Sequence, residues 1–223
     1  MTEEKQIKSR DRVREQGEVF TAEREVNAML DLVKQETERI DSRFLEPACG
    51  NGNFLVQILK RKLDVVCMRY MRQVEDINLH ATIALSSIYG IDIMQDNVEE
   101  CRERLYEIIK EWYPHACITQ GRVPEELEKT WRYILKRNIL WGDALTLCTP
   151  DEEKKPIIFS EWSFIGQSVK RKDYTLDMLL RPRNFEGPSL FDELGDEVFI
   201  PEPCKEYSLV NYNKLYRQDA VTD

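Results

Sequence analysis

The sequence predicts an α/β domain built on a doubly wound sheet, and three observations predict it. Short apolar runs of strand length alternate with longer segments whose apolar residues recur at helical spacing, the pattern of strand–helix–strand units. The first run, Arg43 to Glu46, feeds a turn that contains Gly50 and Gly52 and then a helix start at Asn53. A strand, a glycine turn and a helix N-terminus together form the geometry that cradles a nucleotide-like ligand. Two later strand-like runs end at Asp92 and Asp143, at the carboxyl ends where open α/β sheets hold ligands.

Residues 1–16 are almost wholly charged and polar and read as a polar lead. From Gly17 the text changes, and Thr21 can cap a helix whose apolar positions are Val26, Met29, Leu30 and Val33. Arg43 to Glu46 reads as a fully buried strand, followed by a helix from about Asn53 to Lys62. A second helix, from about Arg72, carries Val74, Ile77, Ala81, Ala84 and Leu85 on one face. That extra helix explains why the next acidic residue, Asp92, lies about 40 positions after the glycines and not the usual ~20. Ser87 to Asp92 is the second strand, and Gln95 to Lys110 a helix with Val98, Leu105, Ile108 and Ile109 apolar. Trp112 to Val123 reads as an irregular connection. A helix from Glu125 to Arg137 buries Leu127, Trp131, Ile134 and Leu135, and Asn138 to Asp143 is the third strand and its exit. The fourth strand is expected at Pro156 to Phe159.

Composition narrows the function. At 223 residues with 42% hydrophobic content the chain can build one cored domain and an appendage. A net charge of −9 argues against a protein that grips DNA strongly by itself, since phosphate neutralisation supplies much of that affinity. The local basic runs Lys60-Arg61-Lys62, Arg69 to Arg72 and Lys170-Arg171-Lys172 read as solvated faces. Six cysteines without Cys-x-x-Cys spacing and only two histidines make a metal site unexpected, and free thiols fit a cytoplasmic location. No apolar run reaches the roughly 18 residues of a membrane span, and the polar start Met1 to Lys5 resembles no secretory signal.

The run Glu46-Pro47-Ala48-Cys49-Gly50-Asn51-Gly52-Asn53-Phe54 resembles the S-adenosylmethionine-binding motif of amino-group DNA methyltransferases, the adenine-specific gamma-type family of restriction–modification systems. The resemblance implies a class I methyltransferase (Rossmann-like) fold and S-adenosyl-L-methionine as cofactor, held by Glu46, Pro47, Ala48, Gly50, Gly52 and Phe54. It extends to Val19-Phe20-Thr21, where the family closes a Val-Phe-Thr-Pro segment over the methionine end; Phe20 and Thr21 carry that role, and Ala22 stands where proline is usual. Asp92 would accept both hydrogen bonds from the ribose diol and Ile93 would pack on the adenine. The run Asn138-Ile-Leu-Trp-Gly-Asp143-Ala-Leu145 is similar to the family's third motif, so Asp143 would accept from the adenine amine and Leu145 would cover the ring.

The resemblance stops at the catalytic tetrapeptide. After the fourth strand the family carries Asn or Asp, Pro, Pro and an aromatic residue, which hold the target amine and stack on the flipped base. This sequence reads Ser160-Glu161-Trp162-Ser163-Phe164. Either Ser160 or Glu161 accepts from the amine while Trp162 or Phe164 stacks on the base, or the loop is lost and cofactor binding remains. The expected organisation is a methyltransferase domain over residues 17–165, with its sheet truncated after about the fourth strand, and an irregular tail over 166–223. The acidic run Leu190 to Leu194 in that tail is expected to pack back onto the open sheet, with a partner-docking peptide as the alternative. A sheet cut short leaves an open edge, so a protein partner or self-association is expected, with DNA contacted weakly or through that partner. Three functions follow: a DNA adenine methyltransferase or methylation subunit, a catalytically impaired cofactor-binding module acting through another chain, and, ranked third, methylation of protein or RNA.

Overall fold

The structure, a computed structural model, describes Arg12 and residues 21–71, 73–117, 121–180 and 201–221. Phe20, the polar lead up to residue 11 and the Leu190 to Leu194 run lie outside the described residues.

A parallel sheet is formed by β1 (Phe44–Glu46), β2 (Ile88–Asp92) and β3 (Ile139–Trp141), in the spatial order β1-β2-β3. Phe44 pairs with Ile88 and Gly90 with Ile139, so β2 is the central strand. Its burial on both sides suits its apolar content, whereas β1 lies at an edge with Leu45 45% exposed. The expectation of a fully buried first strand therefore fails. Its outer side has no paired strand among the described residues.

Helices fill the crossovers. Before the sheet come α1 (Glu23–Asp31) and the short α2 (Lys34–Thr37). Ala22, not Thr21, stands at the N-cap of α1 and makes no side-chain cap, and only Val26 and Leu30 of the expected stripe are buried. Between β1 and β2 run α3 (Asn53–Tyr70) and α4 (Val74–Ser86). The first is two turns longer than expected, because Leu63, Val65 and Val66 continue its buried face. Between β2 and β3 run α5 (Gln95–Ala116) and α6 (Glu125–Asn138). Pro114 sits in the last turn of α5 without ending it, so residues 112–116 are helical and not irregular. Leu55, Leu59, Ile77, Leu85, Leu105 and Trp131 meet in one core under β2, and the Trp131 indole donates to Thr82 Oγ1 at 2.9 Å.

The largest departure from the sequence reading follows β3. The strand expected at 156–159 does not join the parallel sheet. Instead β4 (Ile158–Ile165) pairs antiparallel with β5 (Ser168–Thr175), from Ile158 opposite Thr175 to Ile165 opposite Ser168. Gly166, at φ 57°, makes the reversal with Gln167, the two-residue loop that antiparallel neighbours favour. The short strands β6 (Lys205–Glu206) and β7 (Val210–Asn211) also pair with β5. The boundary expected at residue 165 thus falls in a hairpin turn. A helix α7 (Leu176–Leu180) follows β5, and a 3-10 helix spans Tyr212–Val221. Trp162, Val169, Tyr212 and Leu215 enter the same core as the helices.

Candidate cofactor cleft

The cleft lies at the carboxyl ends of the three parallel strands and has a volume of about 660 Å³. That is within the range of small-molecule sites. Four separate stretches line it: Thr21, the turn from Glu46 to Phe54, Asp92 to Asn97, and Gly142 to Leu145. Of the residues expected from sequence, Thr21, Glu46, Pro47, Ala48, Gly50, Phe54, Asp92, Ile93, Asp143 and Leu145 are brought together on its walls.

Gly52 is not on the wall. Its φ is +90° and a Cβ built there would stand 2.6 Å from Cys101 Sγ, so its part is to let the turn press against α5. Cys101 in turn holds up the pKa of the Cys49 thiol through a contact between the two sulfurs, with burial adding to it. Cys49 is 6% exposed and packed against Gly90. The turn is pinned from the helix side as well. Arg104 Nη1 donates to Asn51 O at 2.7 Å and to Asn53 Oδ1 at 2.8 Å, and Asn51 Nδ2 donates to Glu100 Oε1 at 2.9 Å. Asn53 Nδ2 then donates to Thr21 O at 2.9 Å, which ties the segment before α1 to the turn.

Asp92 is the central anchor. Its Oδ2 accepts from Gly50 N at 2.8 Å, and its Oδ1 accepts from Met94 N at 2.8 Å and Asn97 Nδ2 at 3.2 Å. A carboxylate oxygen can accept twice, so Oδ2 keeps one acceptor direction. Glu46 lies at the end of β1, where burial raises its carboxyl pKa against a weaker opposing hydrogen bond from Ala48 N. Asp143 sits at the open rim with its carboxyl held below the usual range by the N–H of Leu145, which it accepts at 2.9 Å.

Two apolar side chains flank the opening: Ile93 is 44% exposed and Leu145 is 94% exposed. The backbone at Ile93 is fixed by Trp141, whose indole N–H donates to Ile93 O at 2.9 Å. Gly142 completes this side, since a Cβ there would stand 2.4 Å from Ile157 Cδ1.

The four residues expected to act on a target base are elsewhere. Ser160 is buried in β4, its hydroxyl donating to Asp173 Oδ1 at 2.8 Å and accepting from Arg171 Nε at 3.0 Å. The Trp162 indole donates to Asn138 Oδ1 at 2.9 Å inside the core. Glu161 pairs with Arg43 at 2.7 Å, and Phe164 packs against the main core. None of the four lines the cleft.

Sequence reasoning missed Asn51, Asn53, Asn97 and Arg104. The asparagines lie in or near the quoted motifs and could have been read from their short polar side chains. Arg104 carries no sequence signal, since only the approach of α5 to the turn gives it a role. Among the described residues, no helix is long and apolar enough to cross a membrane.

In a comparison with models of protein families, residues 20–185 match the one described as MmeI, DNA-methyltransferase domain. No curated protein and no solved structure matches the chain.

Proposed function

The chain belongs to the family of the MmeI DNA-methyltransferase domain, and on that premise we propose that it holds S-adenosylmethionine for methyl transfer to the adenine amino group of DNA. The setting is a restriction–modification or phage system, and the three-stranded parallel sheet is read as the early strands of a class I, Rossmann-like domain. One observation carries the proposal: four stretches far apart in sequence converge on one cleft, with the acidic and apolar groups such a cofactor needs.

The donor set fits. Glu46 supplies a carboxylate for the methionine ammonium. Asp92 fixes Gly50 and offers its remaining Oδ2 direction to one ribose hydroxyl, one bond fewer than the sequence suggests. Ile93 and Leu145 bracket an aromatic base, and ionised Asp143 accepts from its amine; exposed apolar side chains at a cleft mouth suit a flat ring. S-adenosylmethionine, when bound, supplies a methyl group on a positively charged sulfur. The chain's residues orient it, and the turn held by Asp92 and Arg104 sets where that group points.

A second reading rests on the placement of Ser160 and Trp162. Their polar atoms are committed to buried bonds, so the groups that hold the target base come from a partner. In that case the chain is the cofactor-binding part of a larger assembly, and DNA is reached through that partner. Isothermal titration with S-adenosylmethionine, followed by a tritiated-methyl assay on mixed-sequence DNA, separates the readings. Saturable binding that Asp143→Ala weakens about tenfold is expected, from the loss of a charge-assisted hydrogen bond. Binding without transfer selects the partner-dependent reading. Absence of binding sinks both.

A further inference from the structure

Behind the glycine turn a second cavity of about 240 Å³ lies between α1, α3 and α5. One helical face of α3 forms a wall, with Asn53, Val56, Gln57 and Lys60 at positions i, i+3, i+4 and i+7. Arg104, Glu107 and Ile108 of α5 and Glu23 of α1 close it.

Several donors facing this space have no described partner. Gln57 is only 8% exposed as a residue, and its amide makes no side-chain hydrogen bond to any described residue while keeping contact with the space beside it. Lys60 has neither an ion pair nor a hydrogen bond among the described residues. Arg104 commits only Nη1, to Asn51 O and Asn53 Oδ1, leaving Nε and Nη2 without a described partner. The acidic groups are occupied by contrast. Glu107 accepts two bonds from Lys110, at 2.8 and 3.1 Å, and Glu23 has a partner of its own.

We propose that this cavity is a binding site for a small oxyanion of the phosphate class, held by Lys60, Arg104 and the Gln57 amide. A cation would face Lys60 and Arg104, and an apolar ligand would leave the Gln57 amide unmet. An oxyanion accepts from an ammonium, a guanidinium fork and an amide at once. Arg104 makes the site more than a pocket, because the same guanidinium holds Asn51 and Asn53, and Asn53 holds Thr21. An anion that fixes Arg104 therefore stiffens two walls of the cleft on its other side. The site itself stands whatever the cleft holds.

The test is a calorimetric titration of the full chain with inorganic phosphate, without cofactor, beside Lys60→Gln and Gln57→Leu. One-site binding is expected, weakened about tenfold or more in each variant by the loss of a hydrogen bond to charge. No binding by the unaltered chain, or equal affinity in Lys60→Gln, overturns the site. If Gln57→Leu does not fold, Lys60→Gln alone decides, as its side chain is not buried. Displacement of phosphate by a short DNA duplex assigns the oxyanion to a nucleic-acid backbone, and no displacement assigns it to a free ion. Amide exchange at Gly50 to Asn53 should slow when phosphate is added; unchanged exchange overturns the link to the cleft.

Discussion

Lys62 is one of three consecutive basic residues, and nothing in its type distinguishes it from Lys60 and Arg61. In the fold it is wholly buried. Its ammonium donates to Ile40 O at 3.2 Å, to Ser87 Oγ at 2.5 Å and to Ser42 O, so it ties the segment before β1 to the start of β2. Burial pulls its pKa down from an ordinary 10.5 to about 7. Between those values the unfolded chain binds a proton that the folded chain does not, so stability rises with pH across that interval. Chemical denaturation of the unaltered chain and Lys62→Met should therefore diverge as pH increases from about 7 to about 10. At neutral pH the variant loses about 1–3 kcal/mol, because two carbonyls and a hydroxyl lose their donor. A variant as stable as the parent at every pH would show that Lys62 holds nothing.

At the scale of elements the β4–β5 hairpin decides most. Arg171, read from sequence as a solvated cation, is buried at its centre, with its side chain 1% exposed. It donates to both oxygens of Asp173, at 2.7 and 2.6 Å, to Asp219 at 2.9 Å and to the Tyr133 hydroxyl. Burial opposes the charge, but the bonds to Asp173 outweigh it and hold the guanidinium pKa above its usual value. The partner Asp219 belongs to the 3-10 helix, so the pair fastens the end of the described chain to α6 and β5. Asp173→Ala should cost about 3–5 kcal/mol in urea unfolding, since it strands a buried cation. Lys172→Ala, at the neighbouring half-buried position that faces away from the core and pairs with Glu206, should cost no more than about 1 kcal/mol. Equal effects would refute the assignment. Alternation of buried and exposed residues was hidden in Ser168 to Thr175 because two of its inward positions are charged. The readable sign was Gly166-Gln167 between two runs of β-rich residues. The helices were easier: Leu127, Trp131, Ile134 and Leu135 announce their face by spacing alone, and all are buried.

On the scale of the whole molecule, the cleft was the most legible part, for a physical reason. Glycines in left-handed turns and carboxylates at strand ends are chosen by local backbone geometry, which short sequence runs record. What holds the cleft in shape, by contrast, depends on which helix comes near, as with Arg104. The outer edge of β1 is the other global feature. Beside it an apolar groove of about 460 Å³ is lined by Phe44, Leu45, Tyr89, Phe159, Tyr174 and Leu176. An edge without a paired strand among the described residues, next to apolar side chains, favours strand addition. Light scattering on the eluting chain should show mass rising with concentration or with added partner, and Leu45→Lys should abolish the rise. A constant monomer mass under both conditions would remove the partner proposal.

The strand order carries one more consequence. Because β2 adds beside β1 and β3 beside β2, each strand docks on one already made, and none has to be inserted between two others. Growing from its N-terminus at the ribosome, the chain has emitted every described wall of the cleft once Leu145 emerges, before the first residue of the hairpin. Domains fold as units, however, and Trp162, Val169, Tyr212 and Leu215 complete the core that backs the cleft. The walls are therefore made early but take their final shape only when the hairpin and the 3-10 helix have docked, so a hairpin variant that loosens that core should loosen the cleft as well.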